Sequence, residues 1–216
     1  MRIIGGEFRS RVLAHFDGEN VRPTSDRARE ALFNILANRV RGARVLDVFA
    51  GSGALGLESL SRGAKEVVFN DLSKDSVAII KRNLTTLKVQ INGERAKVYQ
   101  GDFSTLLQTV QGQFDLILLD PPYAQEFGKR ALEIIASRQL LTDNGVAVYE
   151  RDCAFTGQID GLEQYDERKY GKAILTFFDT NVAPFEKEQT IAAIAIRDAI
   201  MKAKESGFGK SAKVVK

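Results

Sequence analysis

Asp120-Pro121-Pro122-Tyr123 closes the apolar run Leu116–Leu119 and holds residue types that together can act on an amine. A carboxylate only accepts hydrogen bonds. Prolines have no N–H, so carbonyls in such a turn stay available as acceptors. Tyr123 adds a flat face for stacking. Acceptors beside a stacking ring suit a planar heterocycle with an exocyclic NH2 group, whose hydrogens are held while its lone pair turns towards an electrophile. The same four residues also fit an ordinary strand end closed by a proline turn, so the rest of the chain must decide.

A second constellation lies upstream. Gly51-x-Gly53-x-x-Gly56 has the spacing of a nucleotide-binding turn, and Asp71 follows Gly51 by twenty residues, placed to hold ribose hydroxyls. An NAD-dependent oxidoreductase is the first reading of that pattern. Asp47, four residues before the glycines, argues against it, because a carboxylate there opposes a pyrophosphate but suits a ligand with an ammonium group. S-adenosylmethionine has the ammonium and no phosphate. Asp102, after Gly101, can accept from an adenine amino group. An oxidoreductase would also need a proton donor or metal, and the single histidine, His15, lies far from these motifs.

These groups need a scaffold that brings strand ends together. Leu116–Leu119 reads as a strand buried on both faces. Further strands are expected at 44–49, 66–71, 96–100 and 146–150, with a closing antiparallel pair at 165–170 and 174–178. Helices are expected at about 26–40, from the glycine turn to 62, at 74–88, briefly after 102, and at 128–141. This alternation predicts an α/β fold of the Rossmann-like kind: a doubly wound, mostly parallel seven-stranded sheet with an antiparallel strand near the C-terminus. Residues 2–13 read as a small β-hairpin or extended arm rather than core. Thr24 or Ser25 is a candidate cap for the first helix, and 184–204 reads as an amphipathic helix before a basic tail. The expected organisation is an arm over 1–20, a catalytic domain over 21–179 and an extension over 180–216.

Composition narrows the function further. One cysteine, Cys153, excludes an internal disulfide and a cysteine zinc site, and one histidine leaves no His-based triad or metal cluster, so no metal is expected. No apolar run reaches membrane-spanning length and the start is not a signal peptide, which suggests a cytoplasmic protein. The net charge of +3 is unevenly spread. Residues 1–44 carry nine arginines, no lysine and five acids, whereas 45–179 carry 15 basic and 19 acidic residues. Arginine without lysine favours bidentate phosphate contacts and stacking on bases.

Leu46-Asp47-Val48-Phe49-Ala50-Gly51-Ser52-Gly53, Asp71, Gly101-Asp102 and Asp120–Tyr123, in this order, resemble the class I S-adenosylmethionine-dependent methyltransferases that act on amino nitrogens. Arg2–Gly6, Arg9-Ser10-Arg11 and the stretch Arg22-Pro23-Thr24-Ser25-Asp26-Arg27 to Leu36 are similar, more specifically, to the bacterial family that methylates N2 of a guanine in 16S ribosomal RNA. The resemblance implies S-adenosyl-L-methionine as cofactor and 16S rRNA, or the small ribosomal subunit, as partner. It implies that Asp47, Phe49, Gly51, Gly53, Asp71, Leu72, Asp102, Phe103 and Thr24 hold the cofactor. It implies a catalytic turn of Asp120, Pro121, Pro122 and Tyr123, and RNA contacts from Arg2, Arg9, Arg11 and Arg22. Ser10 departs from the glycine of that pattern, and residues beyond 180 fall outside it. Two other readings remain: methylation of an adenine N6 in DNA or RNA, and an inert RNA-binding assembly protein on the same fold.

Overall fold

Residues 1–16, 26–122 and 125–180 are described by the structure, a computed structural model. The helix expected at 184–204 and the basic tail, together with Arg22, Thr24, Ser25 and Tyr123, lie outside the described residues.

The described elements follow one another as α1 (Asp26–Val40), β1 (Arg44–Asp47), α2 (Ala54–Ser61), β2 (Glu66–Asp71), α3 (Lys74–Thr86), β3 (Ala96–Gln100), α4 (Phe103–Thr109), β4 (Phe114–Leu119), α5 (Gln125–Ser137), β5 (Leu141–Arg151), β6 (Glu163–Tyr170) and β7 (Ala173–Asp179). The seven strands form one sheet in the order β3-β2-β1-β4-β5-β7-β6. The first five are parallel, and β7 runs antiparallel to both β5 and β6. Alternation along the central strands splits the core in two. Val45, Leu116, Leu118, Val146 and Val148 pack on the side of α1, α2 and α3, while Leu46, Ile117, Leu119, Ala147 and Tyr149 pack with residues of α4 and α5. Helices on both faces explain why β4 is an unbroken apolar run.

Several boundaries differ from expectation for visible reasons. The first strand ends at Asp47 rather than Phe49. Val48 still donates to the Leu118 carbonyl, but the chain then rises into the glycine turn. The helix expected at 128–141 is α5, shifted to the N-terminal side. Gly128 is inside it because a Cβ there would lie 2.2 Å from the Tyr149 ring, so the glycine lets helix and sheet approach. Gln139, at φ 50°, stops the chain short of Leu141. Strand β5 is longer than 146–150, because a register shift opposite Phe114 and Leu116 lets polar Thr142–Asn144 remain in the strand.

The N-terminal arm is also corrected. It carries a single antiparallel bridge, Arg2 to Val12, instead of a ladder, and it is not separate from the core. Ile3 and Leu13 are buried in the same cluster as Leu32, Phe33 and Leu60. Such burial contributes about 1.5–3 kcal/mol per side chain. Glu58, wholly buried on α2, accepts the backbone N–H groups of Ile4 and Gly5 at 2.9 Å each and pairs with Arg62 at 2.7 Å. Gly6 has φ +78° and passes so close to α2 that a Cβ would meet the Ser61 carbonyl. Arg29, also buried, donates from α1 to the Arg2 carbonyl at 2.6 Å.

Candidate active site

The strand order reverses direction between β1 and β4: from β1 the chain moves out towards β2 and β3, and from β4 towards β5. Crevices at such switch points, beyond the carboxyl ends of the strands, are where open α/β sheets bind ligands. Asp47 ends β1 opposite Leu118, and Asp120 comes two residues after Leu118, just past the end of β4. The two motifs of the sequence therefore meet across one strand pair. Asp71 ends β2, and Asp102 follows β3, at the same edge.

Side chains at the strand ends shape the glycine turn. Asp71 accepts the Gly51 N–H through Oδ2 at 2.8 Å and the Ser73 N–H through Oδ1 at 2.8 Å. Asp47, 1% exposed, accepts the Gly56 N–H through Oδ2 at 2.9 Å. Gly53 adopts φ 82° at the start of α2, with no side chain capping the helix. A Cβ on Gly56 would lie 2.2 Å from the Phe69 ring, so the third glycine serves close packing of α2 on β2. Asn70, buried, donates to the Val48 carbonyl at 3.1 Å and the Gly101 carbonyl at 3.2 Å, clamping the ends of β1 and β3 together. Asn83 on α3 donates to the Ser52 carbonyl at 3.1 Å.

The electrostatics of this edge are unusual. Burial raises the Asp47 carboxyl from its ordinary range to about 7, and the negative charges of Asp120 and Asp71 push the same way against the Gly56 hydrogen bond. Its Oδ1 is buried with no hydrogen-bond partner. An unpaired acceptor in a cluster of three acids suits a cationic ligand and disfavours a pyrophosphate. Asp102 caps α4, its Oδ1 accepting from Ser104 N at 2.9 Å and from Thr105 N at 3.3 Å, and the Ser104 hydroxyl draws its carboxyl below the usual range.

An apolar wall stands beside the acids. Leu72 is 71% exposed directly after Asp71. Phe49 and Phe103 lie with ring centroids 5.0 Å apart, and Phe127 continues the row 5.6 Å from Phe103. A flat heterocycle attached to a cation fits acids plus aromatic and aliphatic surface. S-adenosylmethionine has this composition: adenine, ribose, sulfonium and ammonium. Among the described residues, no group of three or more potential ligands could hold a metal ion, and no helix is long and apolar enough to cross a membrane.

The structure thus gathers Asp47, Phe49, Gly51, Gly53, Asp71, Leu72, Asp102, Phe103, Asp120, Pro121 and Pro122 along one edge. Arg2, Arg9 and Arg11 are exposed on the arm, and Arg2 donates to the Ser10 carbonyl at 2.8 Å. Ser10 sits at φ 68°, a left-handed conformation that glycine would adopt without strain. Sequence reasoning missed Asn70, Asn83, Glu58 and Phe127. Signals were present: Asn83 lies between Ile80 and Leu84 on the buried face of α3, Glu58 follows Leu55 by one turn on α2, and Phe127 is an aromatic residue soon after the proline turn.

Comparison with known proteins agrees with this geometry. The family described as conserved hypothetical protein 95 matches residues 1–179. The chain belongs to this family. Ribosomal RNA small subunit methyltransferase D of Haemophilus influenzae is 38% identical over 154 residues, spanning 70% of this chain and 79% of the relative. The Escherichia coli K12 protein of the same name is 34% identical over 152 residues, spanning 70% and 75%. A solved Escherichia coli structure, named "Putative methyltransferase yhhF", superposes with a TM-score of 0.74 at 30% identity, covering 84% of this chain and 99% of that one. The seven-stranded mixed sheet with alternating helices is the class I methyltransferase fold, and the family match takes in the arm as well as the sheet.

Proposed function

We propose that this protein uses S-adenosylmethionine to methylate the exocyclic N2 amine of a guanine in 16S ribosomal RNA. The observation that carries the reading is the meeting of Asp120-Pro121-Pro122 with the Asp47–glycine-turn site at the β1/β4 switch point, in a chain related to small-subunit rRNA methyltransferases. Residues 1–20 would serve as the RNA-contacting arm, 21–179 as the catalytic domain and 180–216 as an extension.

Bound at this edge, S-adenosylmethionine supplies a methyl group on a sulfonium, already strongly electrophilic. Asp47 would face the methionine end and Asp71 the ribose hydroxyls. Leu72, Phe49 and Phe103 would enclose adenine beside Asp102, with Thr24 from the preceding segment. Asp120 and the Pro121 carbonyl would accept the amine hydrogens and turn the nitrogen lone pair towards the methyl carbon. Pro122 would fix the turn, and Tyr123 would serve as the stacking ring for the extruded base. The nitrogen would gain the methyl carbon from the cofactor, the methyl–sulfur bond's electron pair would go to sulfur, and the cationic amine would then lose its proton to solvent. Positioning and charge arrangement supply the acceleration, with no protein nucleophile. Arg2, Arg9, Arg11 and Arg22 would meet phosphates beside the pocket. The test is transfer of labelled methyl from S-adenosylmethionine to small-subunit RNA or particles, with the modified base identified.

A further inference from the structure

One side chain joins the cofactor turn to the arginine arm. Asn83 is 1% exposed on α3. Its Nδ2 donates to the Ala14 carbonyl at 3.0 Å and to the Ser52 carbonyl at 3.1 Å, while its Oδ1 accepts the Ala14 N–H at 2.8 Å. Two carbonyls need donors and one N–H needs an acceptor, so a primary amide in this orientation is the group that satisfies all three. Ser52 is the middle residue of the glycine turn, and Ala14 closes the arm that carries Arg2, Arg9 and Arg11. The arm's other end arrives at the same place: the Ser52 hydroxyl lies 3.8 Å from the Met1 sulfur, and Leu13 N donates to the Met1 carbonyl at 2.9 Å.

We propose that Asn83 is a positioning residue that couples RNA binding on the arm to cofactor binding on the glycine turn. The inference rests on the functional reading above. The Gly51 N–H is held by Asp71 and the adjacent Ser52 carbonyl by Asn83, so a ligand that orders this turn also fixes the amide that holds Ala14. An arm fixed in place by RNA orders the turn in return, since coupling between two sites is reciprocal. A purely structural amide would change stability, and both affinities with it, but would leave unchanged the factor by which one ligand alters the affinity for the other.

The experiment measures affinity for small-subunit RNA with and without saturating S-adenosylhomocysteine. The wild type should bind RNA more tightly with the nucleoside present, by about fivefold or more. Asn83→Asp keeps the acceptor for Ala14 N–H but loses both donors, and should bring that ratio close to one. A ratio of one or less in the wild type, or an unchanged ratio in N83D, overturns the coupling. A second measurement does not depend on the variant folding: backbone amides of residues 1–16 in the wild type should exchange more slowly once S-adenosylhomocysteine is added, and unchanged exchange overturns the coupling equally. If the wild type binds neither ligand, the functional reading falls and the coupling with it, which distinguishes that failure from two ligands that bind independently.

Discussion

Asp71 Oδ2 accepts the backbone N–H of Gly51 at 2.8 Å, so the acid at the end of β2 holds the first glycine of the turn at the end of β1. The same carboxylate also receives Ser73 N–H at the start of α3. One residue therefore fixes the shape of two loops, and each of its oxygens keeps a further lone pair for a ribose hydroxyl.

Asp71→Ala should accordingly weaken cofactor binding through two routes: a lost acceptor and a loosened turn. Hydrogen bonds to charged groups are worth about 1.5–3 kcal/mol, so the dissociation constant should rise by at least about tenfold. Calorimetric titration with S-adenosylhomocysteine checks this, and an unchanged constant would remove Asp71 from the site.

Asp47 makes the site pH-sensitive. Its carboxyl is raised to about 7 by burial, Asp120 and Asp71. The folded protein therefore keeps a proton that the unfolded chain has lost. Stability from this group is largest below the unfolded value near 4, falls as pH rises towards 7, and is flat above; across that window it is on the order of a few kcal/mol. A cationic ligand reverses the preference and favours the ionised carboxylate. Cofactor binding should release a proton near pH 6.5 and strengthen as pH rises to about 7. Titration in buffers of different ionisation enthalpy reads the proton directly. Asp47→Asn should abolish that release, since the neutral amide can still accept the Gly56 N–H.

Much of this was readable from residue order alone. The run Leu116–Leu119 before two prolines marks a central strand and its end, and Asp47, Gly51–Gly56 and Asp71 mark neighbouring strand ends. What stayed hidden depended on contacts distant in sequence. Ile3 and Leu13 belong to two short apolar patches, Ile3-Ile4 and Val12-Leu13, too small to look like core, and only α2, more than forty residues later, provides the buried Glu58 and Ser61 against which the arm docks. Gly128 looks like a helix boundary because its role is to make room for Tyr149, which lies on another strand. Thr142–Asn144 look like a loop because a register shift is not encoded in local polarity.

Docking of the arm yields its own test. Gly6→Ala places a Cβ 1.8 Å from the Ser61 carbonyl in a left-handed backbone conformation. The backbone conformation alone costs about 1–2 kcal/mol for a non-glycine residue. Denaturant unfolding of the variant should show at least that loss of stability. A neutral effect would mean that the arm is not seated on α2.

The exposed arginines should act on RNA and not on the cofactor. Replacing Arg9 and Arg11 together with Ala should weaken binding to small-subunit RNA while leaving S-adenosylhomocysteine binding unchanged. Each phosphate contact contributes about 0.7 to the slope of log affinity against log salt for single strands, and about 0.9 for duplex DNA. The double variant should therefore show a shallower salt dependence, and the difference should shrink as salt rises. Parallel lines would show that these residues do not touch phosphate.

The central claim is that Asp120 presents a guanine amine to the cofactor's methyl group. The direct measurement incubates wild type and Asp120→Ala with labelled S-adenosylmethionine and small-subunit RNA or particles, then identifies the modified nucleoside by mass spectrometry. The wild type should yield N2-methylguanosine at one position. Asp120→Ala should yield none, while binding S-adenosylhomocysteine within a few-fold of wild type. A methyl group on any other nucleoside, or full activity in the variant, would contradict the account.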